Sequence, residues 1–406
     1  MQKYYQHLLA SLFLLVGALA APAVAKSSPE LSDRTFRTVN KVQELIATER
    51  YNDAIEKLSD ALEGTKAKKY DRAVLLQQMG FLYSLRDNYS KAAEYFAKSL
   101  ALDALPVPVA QQVRYSLAQL YLAEEQFKQS VNTMKHWFEV VETTEEKPQA
   151  HAYITLASAY VQLEDYKSAI SPVKQAIAMS PSPSESWYLL LMASHYELKQ
   201  FKSVAGVLKT LTNKYPKKKR YWMQLSGVYM ELNQERNSLA TLEAAYKLDL
   251  LESEKEILRL VNFQAYRGIP YRAAKTLQAE MDTGRVTQSK ENIERLASFW
   301  QQAKEIDSAI LAYQHAFELE QTTKAQLKIT RLMLQAQQYQ QATVFTQQVV
   351  ANATLDDKAE LAYLRGMAYF ELEQPSRALQ AMQSAAKSKE MKSAAIPWIT
   401  FLKDQS

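Results

Sequence analysis

The chain reads as an all-α repeat protein, an α-solenoid, and three observations point there. A small residue returns every 33 to 39 positions, at Ala54, Ala92, Ser130, Ala169, Val204, Ser238, Ala274, Ala309, Ala342 and Ala378. An aromatic stands three residues before most of them, as Tyr51, Tyr89, Phe127, Tyr166, Phe201, Tyr271 and Tyr339. The 406 residues include 8 Gly and 12 Pro, which suits long helices and argues against an all-β fold. Self-similarity at this period marks an array of helix pairs, each burying its apolar face against its neighbours.

The elements follow in chain order. Residues 1–25 read as a cleavable signal peptide: Lys3 is the positive start, Leu8 to Ala20 the apolar run, and Ala23-Val24-Ala25 the small-residue site before Lys26. Cys is absent, so no lipid anchor is expected there, and no later stretch is apolar enough to span a bilayer. This predicts an exported protein of the periplasm. A linker is expected over 26–35, the repeats over 36–390, and a capping helix with its tail over 391–406. In the fourth unit Tyr153, Leu156, Ala157 and Tyr160 make one helical stripe. After Glu164-Asp165, the residues Tyr166, Ala169, Ile170, Val173 and Ala176 make a second, and Pro181 ends the unit. Ala157 and Ala169 mark the close approach of the two backbones. The first three steps of the period, at 38, 38 and 39 residues, are longer than the later ones. About ten pairs are counted, closed by Met391 to Lys403, with a kink or start at Pro397.

The second unit carries Met79-Gly80, Tyr83, Ala92, Phe96 and Pro106, and the sixth Trp222, Leu225, Ser226, Tyr229, Ser238, Leu242 and Ala245. The last carries Gly366, Tyr369, Ala378 and Ala385. This pattern resembles the tetratricopeptide repeat, W-x2-L-G-x2-Y then A-x3-F-x2-A then Pro, from about Phe36 to Lys387. The resemblance implies a right-handed solenoid that binds protein partners. The seventh unit departs from it, with Asn262 and Ala265 at the small and Tyr positions, as does the ninth, with Thr330 and Met333.

No catalytic constellation emerges. Without Cys there is no disulfide, thiolate metal site or Cys nucleophile. His136, His151, His195 and His315 stand on four different repeats, and His195 falls on a first-helix packing position. H-E-x-x-H, G-x-G-x-x-G and the phosphate-loop motif do not occur. The reading is therefore a non-enzyme with no catalytic, cofactor or metal residues. The net charge of +5, from 49 basic and 44 acidic residues, is too dispersed for a nucleic-acid partner. Lys217-Lys218-Lys219-Arg220 is the densest charge run, either a solvated loop or a contact for an acidic partner or anionic lipid headgroups.

In tetratricopeptide arrays the first helix of each pair lines the inner face. By that resemblance the groove here consists of Tyr115, Leu122, Ile154, Val161, Leu189, Tyr196, Met223, Met230, Phe263, Tyr266, Tyr363 and Phe370. Such a lining suits an amphipathic helix or extended peptide. The family's basic clamp for a terminal carboxylate is not reproduced; Arg259 and Arg331 are the basic groups placed there. Length, signal and architecture are similar to tetratricopeptide proteins of TonB energy-transduction systems. That implies a periplasmic scaffold for TonB–ExbB–ExbD in iron-siderophore uptake. The alternatives are an assembly factor for outer-membrane proteins, pili or polysaccharide export, and a non-catalytic subunit of an envelope glycan enzyme.

Overall fold

The computed structural model describes residues 30–404 other than 66, 67, 146, 349 and 352, so the signal segment lies outside the described residues. The fold is all-α. Helix pairs follow one another as α1 (Asp33–Ala47) with α2 (Tyr51–Gly64), α3 (Lys69–Leu85) with α4 (Tyr89–Leu100), and α5 (Val107–Ala123) with α6 (Phe127–Val141). Next come α7 (Ala150–Gln162) with α8 (Tyr166–Met179), and α9 (Glu185–Glu197) with α10 (Phe201–Lys214). These five pairs form one compact unit ending at Lys214, and a second begins at Tyr215. The second holds α11 (Lys219–Glu231) with α12 (Glu235–Lys247), α13 (Glu254–Tyr266) with α14 (Pro270–Asp282), and α15 (Lys290–Gln302) with α16 (Ile306–Leu319). It ends with α17 (Thr323–Gln335) and α18 (Tyr339–Phe345), α19 (Leu355–Glu371) and α20 (Pro375–Ala385), then α21 (Lys389–Asp404).

Every pair is joined by the same turn. One residue takes the left-handed conformation, and the next amide donates to the carbonyl five residues back, satisfying orphan groups at the helix end. Arg50 N–H reaches the Leu45 carbonyl at 2.8 Å, Asp165 the Tyr160 carbonyl at 2.9 Å, and Gln338 the Met333 carbonyl at 2.8 Å. The left-handed residue is Gly268 in the seventh pair, but Glu49, Asp87, Glu125, Glu164, Lys199, Asn233, Lys304, Gln337 and Glu373 elsewhere. With so little glycine, these short polar turns are held by the second helix of the pair. An aromatic or Pro opens that helix in most pairs, and the small residue buries three positions later.

Counting from these turns fixes the register. The first-helix small positions, Gly80, Ala118, Ala157, Ser226, Ala297 and Gly366, are all buried. A Cβ on Gly80 would stand 2.5 Å from the Phe96 ring, so only glycine lets α3 approach α4 this closely. The seventh pair corrects the sequence reading by one residue. Gly268 makes the turn and Pro270 opens α14, so Ala273 rather than Ala274 is the equivalent of the other small residues. Val261 and Gln264, not Asn262 and Ala265, then hold the small and Tyr positions; both are buried. Two adjacent alanines, both fully buried, make the register ambiguous by sequence.

The ninth pair is irregular in a different way. Helix α18 has 7 residues. Its tail, Thr343-Val344-Phe345-Thr346, is poor in helix formers, and the Thr346 hydroxyl donates to the Ala342 carbonyl at 2.8 Å. The buried Gln326 amide then donates to the Phe345 and Gln348 carbonyls, at 2.9 and 3.0 Å, ending the helix from the side. Pro397 lies within α21, where its ring breaks the backbone ladder without ending the helix.

Candidate functional site

In the N-terminal unit α1 packs on α3, α5 on α7 and α7 on α9, while no two second helices meet as closely. The first helices therefore form the inner layer of this unit. Its central helices are almost without charge: Arg114 lies in α5, no Asp, Glu, Lys or Arg in α7, and Glu185 and Glu197 at the ends of α9. The exposed and half-buried inner positions include Gln112, Gln119, His151, Ser158, Val161, Leu189 and Tyr196. Tyr196 is 55% exposed, with its ring edge-on to Phe201 at 5.9 Å.

Two residues assigned to the groove are interior instead, and a third is half-buried between pairs. Leu122 and Ile154 are buried, 5% and 7% exposed, because they pack where neighbouring first helices touch. Tyr115 is held between pairs by Trp137, ring centroids 5.8 Å apart, and by Thr155, hydroxyl to hydroxyl at 3.4 Å. Burial pushes its phenol above the usual tyrosine range, so it stays a neutral partner in that contact.

In the C-terminal unit Met223 and Phe263 are half-buried, and Met230 and Tyr266 are exposed, Tyr266 by 73%. Phe263 and Tyr266 stack with centroids 6.4 Å apart. Counted from the turn, however, Leu258 and Ala265 are the positions equivalent to Met223 and Met230. Tyr363 and Phe370 do not close an open groove. Phe370 lies 5.1 Å from the Trp398 ring and 5.9 Å from Phe401 of α21, and Tyr363 packs against the buried cluster of Ala362, Ala385 and Ala395, the last of these from α21.

Arg259 is exposed, and Arg331 is paired with Glu360. Arg295 and Lys328 hold the same register as Arg259 in the next two pairs, which the sequence reading missed. Counting every first helix back from its left-handed turn would have found them. Lys328 sits 3.9 Å over the Tyr313 ring and donates to its hydroxyl at 2.5 Å. The run Lys217–Arg220 is largely engaged within its own unit. Lys219 is 3.3 Å from Glu252 and 3.2 Å from Glu256, which raise its pKa, Glu256 foremost. Lys218 lies over Tyr215 and Arg220 over Tyr221, while Lys217 is exposed.

The histidines are as dispersed as their numbers suggest. His195 is buried in the position that Tyr holds in other pairs, 2.6 Å from Gln200 Oε1. His151 meets the Trp187 ring edge, and His136 lies 3.4 Å from Glu139. Among the described residues no three His, Asp or Glu groups gather as metal ligands would. Along α5, α7 and α9 the inner face presents amides, hydroxyls, a few aliphatics, the His151 imidazole and the exposed Tyr196 phenol ring. Such a surface holds a ligand by contact area and neutral hydrogen bonds.

A family model described as the tetratricopeptide repeat matches residues 150–183 and 219–250, the fourth and sixth pairs. No curated protein matches the chain. Among solved structures it is similar to YrrB, a repeat protein with an unusual peptide-binding site, at 15% identity and TM-score 0.37, covering 47% of this chain and 91% of that one. A tetratricopeptide repeat protein from Parabacteroides merdae gives 12% identity and TM-score 0.37, covering 75% of this chain and 100% of that one. The repeat domain of P58(IPK) gives 11% identity and TM-score 0.26 over 91% and 97%.

Proposed function

We propose that this tetratricopeptide-repeat protein is a protein-binding scaffold whose N-terminal unit holds an uncharged, apolar-rich segment of its partner on the inner face of α5, α7 and α9. The observation that carries this reading is the near absence of charge on those helices, together with the outward Tyr196. A face without charge repels no partner, yet rewards one that brings apolar surface and satisfied amides. Tyr supplies a large, stiff contact with a polar tip, the kind of group on which binding energy concentrates.

The export signal at 1–25 supports placing this scaffold in the periplasm. The resemblance in length, signal and architecture to repeat proteins of TonB systems is what supports a component of TonB–ExbB–ExbD as the partner, in iron-siderophore uptake. The test is titration of the purified periplasmic parts of TonB and ExbD against the mature chain by calorimetry. One of them should bind, with an affinity that changes less than twofold between 50 and 500 mM NaCl. Val161→Ser with Tyr196→Ser should weaken it at least tenfold while leaving the helical circular dichroism intact. Absence of binding by either partner would reject the TonB assignment. Strong salt dependence, or indifference to the double variant, would reject the inner face of the N-terminal unit.

A further inference from the structure

The second helices of the C-terminal unit expose apolar side chains that the N-terminal unit does not. Tyr271 on α14, Leu311 and Leu319 on α16 and Val344 on α18 are each at least half exposed. Among the described residues, the second helices of the N-terminal unit expose a large apolar side chain only at the end of α8, Met179. Leu311 and Val344 hold the same register in successive pairs, two residues after the buried Ala309 and Ala342. Beside Leu311 a crevice of about 440 Å³ runs between α14 and α16. Its floor is the buried Met281, Ile293, Leu296 and Trp300 of α14 and α15.

We infer that this crevice and the Leu311–Leu319 stripe form a second docking surface, separate from the inner face, for an amphipathic helix of a partner protein with basic residues flanking its apolar stripe. Leu311 and Leu319 stand at i and i+8 of one helix with His315 between them, and a crevice beside exposed leucines accepts a helix by its apolar face. Charge selects the partner. Asp282 projects from the outer row of α14, with Gln278 donating to it at 2.8 Å. Asp307 and Glu318 flank Leu311 on the outer row of α16, one turn before it and two turns after. Against these stand Lys275 and the exposed His315 of the crevice lining, since Arg272 of α14 is held by Glu243 at 3.0 Å. An acidic rim of this kind disfavours anionic lipid and a second copy of the same surface, and favours Lys and Arg.

The experiment uses the mature chain and two fluorescein-labelled synthetic helices of one apolar stripe, one with Leu and Lys, the other with Leu and Glu, followed by anisotropy at low salt. The Lys helix should bind at least tenfold more tightly than the Glu helix, and should protect residues 270–282 and 306–319 from hydrogen exchange. Leu311→Ser with Leu319→Ser should weaken it at least tenfold. Ser308→Trp, which fills the crevice from its half-buried wall, should do the same with unchanged helicity. Tyr196→Ser should leave it unaffected, which keeps this surface distinct from the inner one. Equal binding of the two helices, or no loss in either crevice variant, overturns the proposal. So does Leu311-dependent binding to phosphatidylglycerol vesicles, or Leu311-dependent self-association by sedimentation.

Discussion

The two units join their helix pairs by different chemistry. In the N-terminal unit rings do much of the joining: Phe138 meets Tyr153 at 4.7 Å, and His151 meets Trp187 at 5.4 Å, each from one pair to the next. Its ion pairs Lys41–Glu44, Arg50–Asp53 and Lys98–Glu94 each join residues three or four apart in the chain. The C-terminal unit keeps ring contacts, such as Tyr271 with Trp300 at 5.7 Å, and adds charge between pairs. Lys219 reaches Glu256, Arg272 reaches Glu243, and Arg285 reaches Asp249 at 2.6 Å. Asn292 donates to Glu254 at 2.7 Å. A stacked array asks only that each pair fit its neighbours, so either chemistry serves the fold. The choice decides what the first helices can offer a ligand. Where rings carry the interface, the inner layer can stay neutral; where ion pairs carry it, first helices supply part of the charge, as Lys219 and Glu256 do.

The largest effect expected is in the aromatic unit. Trp137→Ala removes a ring lodged against Tyr115 and Phe138 and an indole donor to the Gln111 carbonyl. It should cost about 4 kcal/mol, and hydrogen exchange should show the loss in the N-terminal unit while protection of α13 to α16 persists.

Next is Arg285→Ala in the charged unit. The Glu280 carboxylate, with a side chain 3% exposed, would keep only the Tyr246 hydroxyl, at a cost of about 3 kcal/mol. Loss of protection should then centre on α12 to α15. If both variants unfolded both units equally, the contrast between the units would fail.

Glycine gives a matched pair of intermediate size. Gly80→Ala drives a Cβ into the rigid Phe96 ring, expected to cost about 2 kcal/mol. Gly366→Ala meets the flexible end of Met382 at 2.9 Å and should cost under about 1 kcal/mol. Urea midpoints of the two variants would order them, and the reverse order would refute the reading of the contacts.

Alkali gives a directional test. Burial, then the bond to Glu280, pushes the Tyr246 phenol from 10.0 up to about 12. Its raised pKa favours the neutral form in the folded state. That stability is therefore complete below pH 10 and is lost as pH rises toward about 12. Tyr246→Phe should flatten the decline of the C-terminal unit in that window.

The smallest effect is salt. Raising NaCl to 1 M, where the screening length is about 3 Å, should cost each half-exposed pair of the C-terminal unit under about 1 kcal/mol. Exchange in α3 to α8 should not quicken in step with it.

Much of this is legible in the residues. Period, small positions and aromatic spacing give the helix pairs of the regular units, because a helix pair is local and its own contacts recur in the sequence. The seventh pair reads one residue out of register because Ala273 and Ala274 are equally small, and only the left-handed Gly268 separates them. Tyr115, Leu122 and Ile154 look like groove, yet whether an inward residue is covered depends on how closely the next first helix lies. Phe370 is lost to α21 for the same reason.

The sequence alone therefore determined the repeat, its helix pairs and the low charge of α5, α7 and α9, since each of these is written within one or two turns of chain. Tertiary structure decided which inward residues remain open, which charges are already spent on a neighbouring pair, and that a crevice opens between α14 and α16. Those are relations between helices some thirty residues apart, set by interhelical distance, and no local pattern encodes that distance.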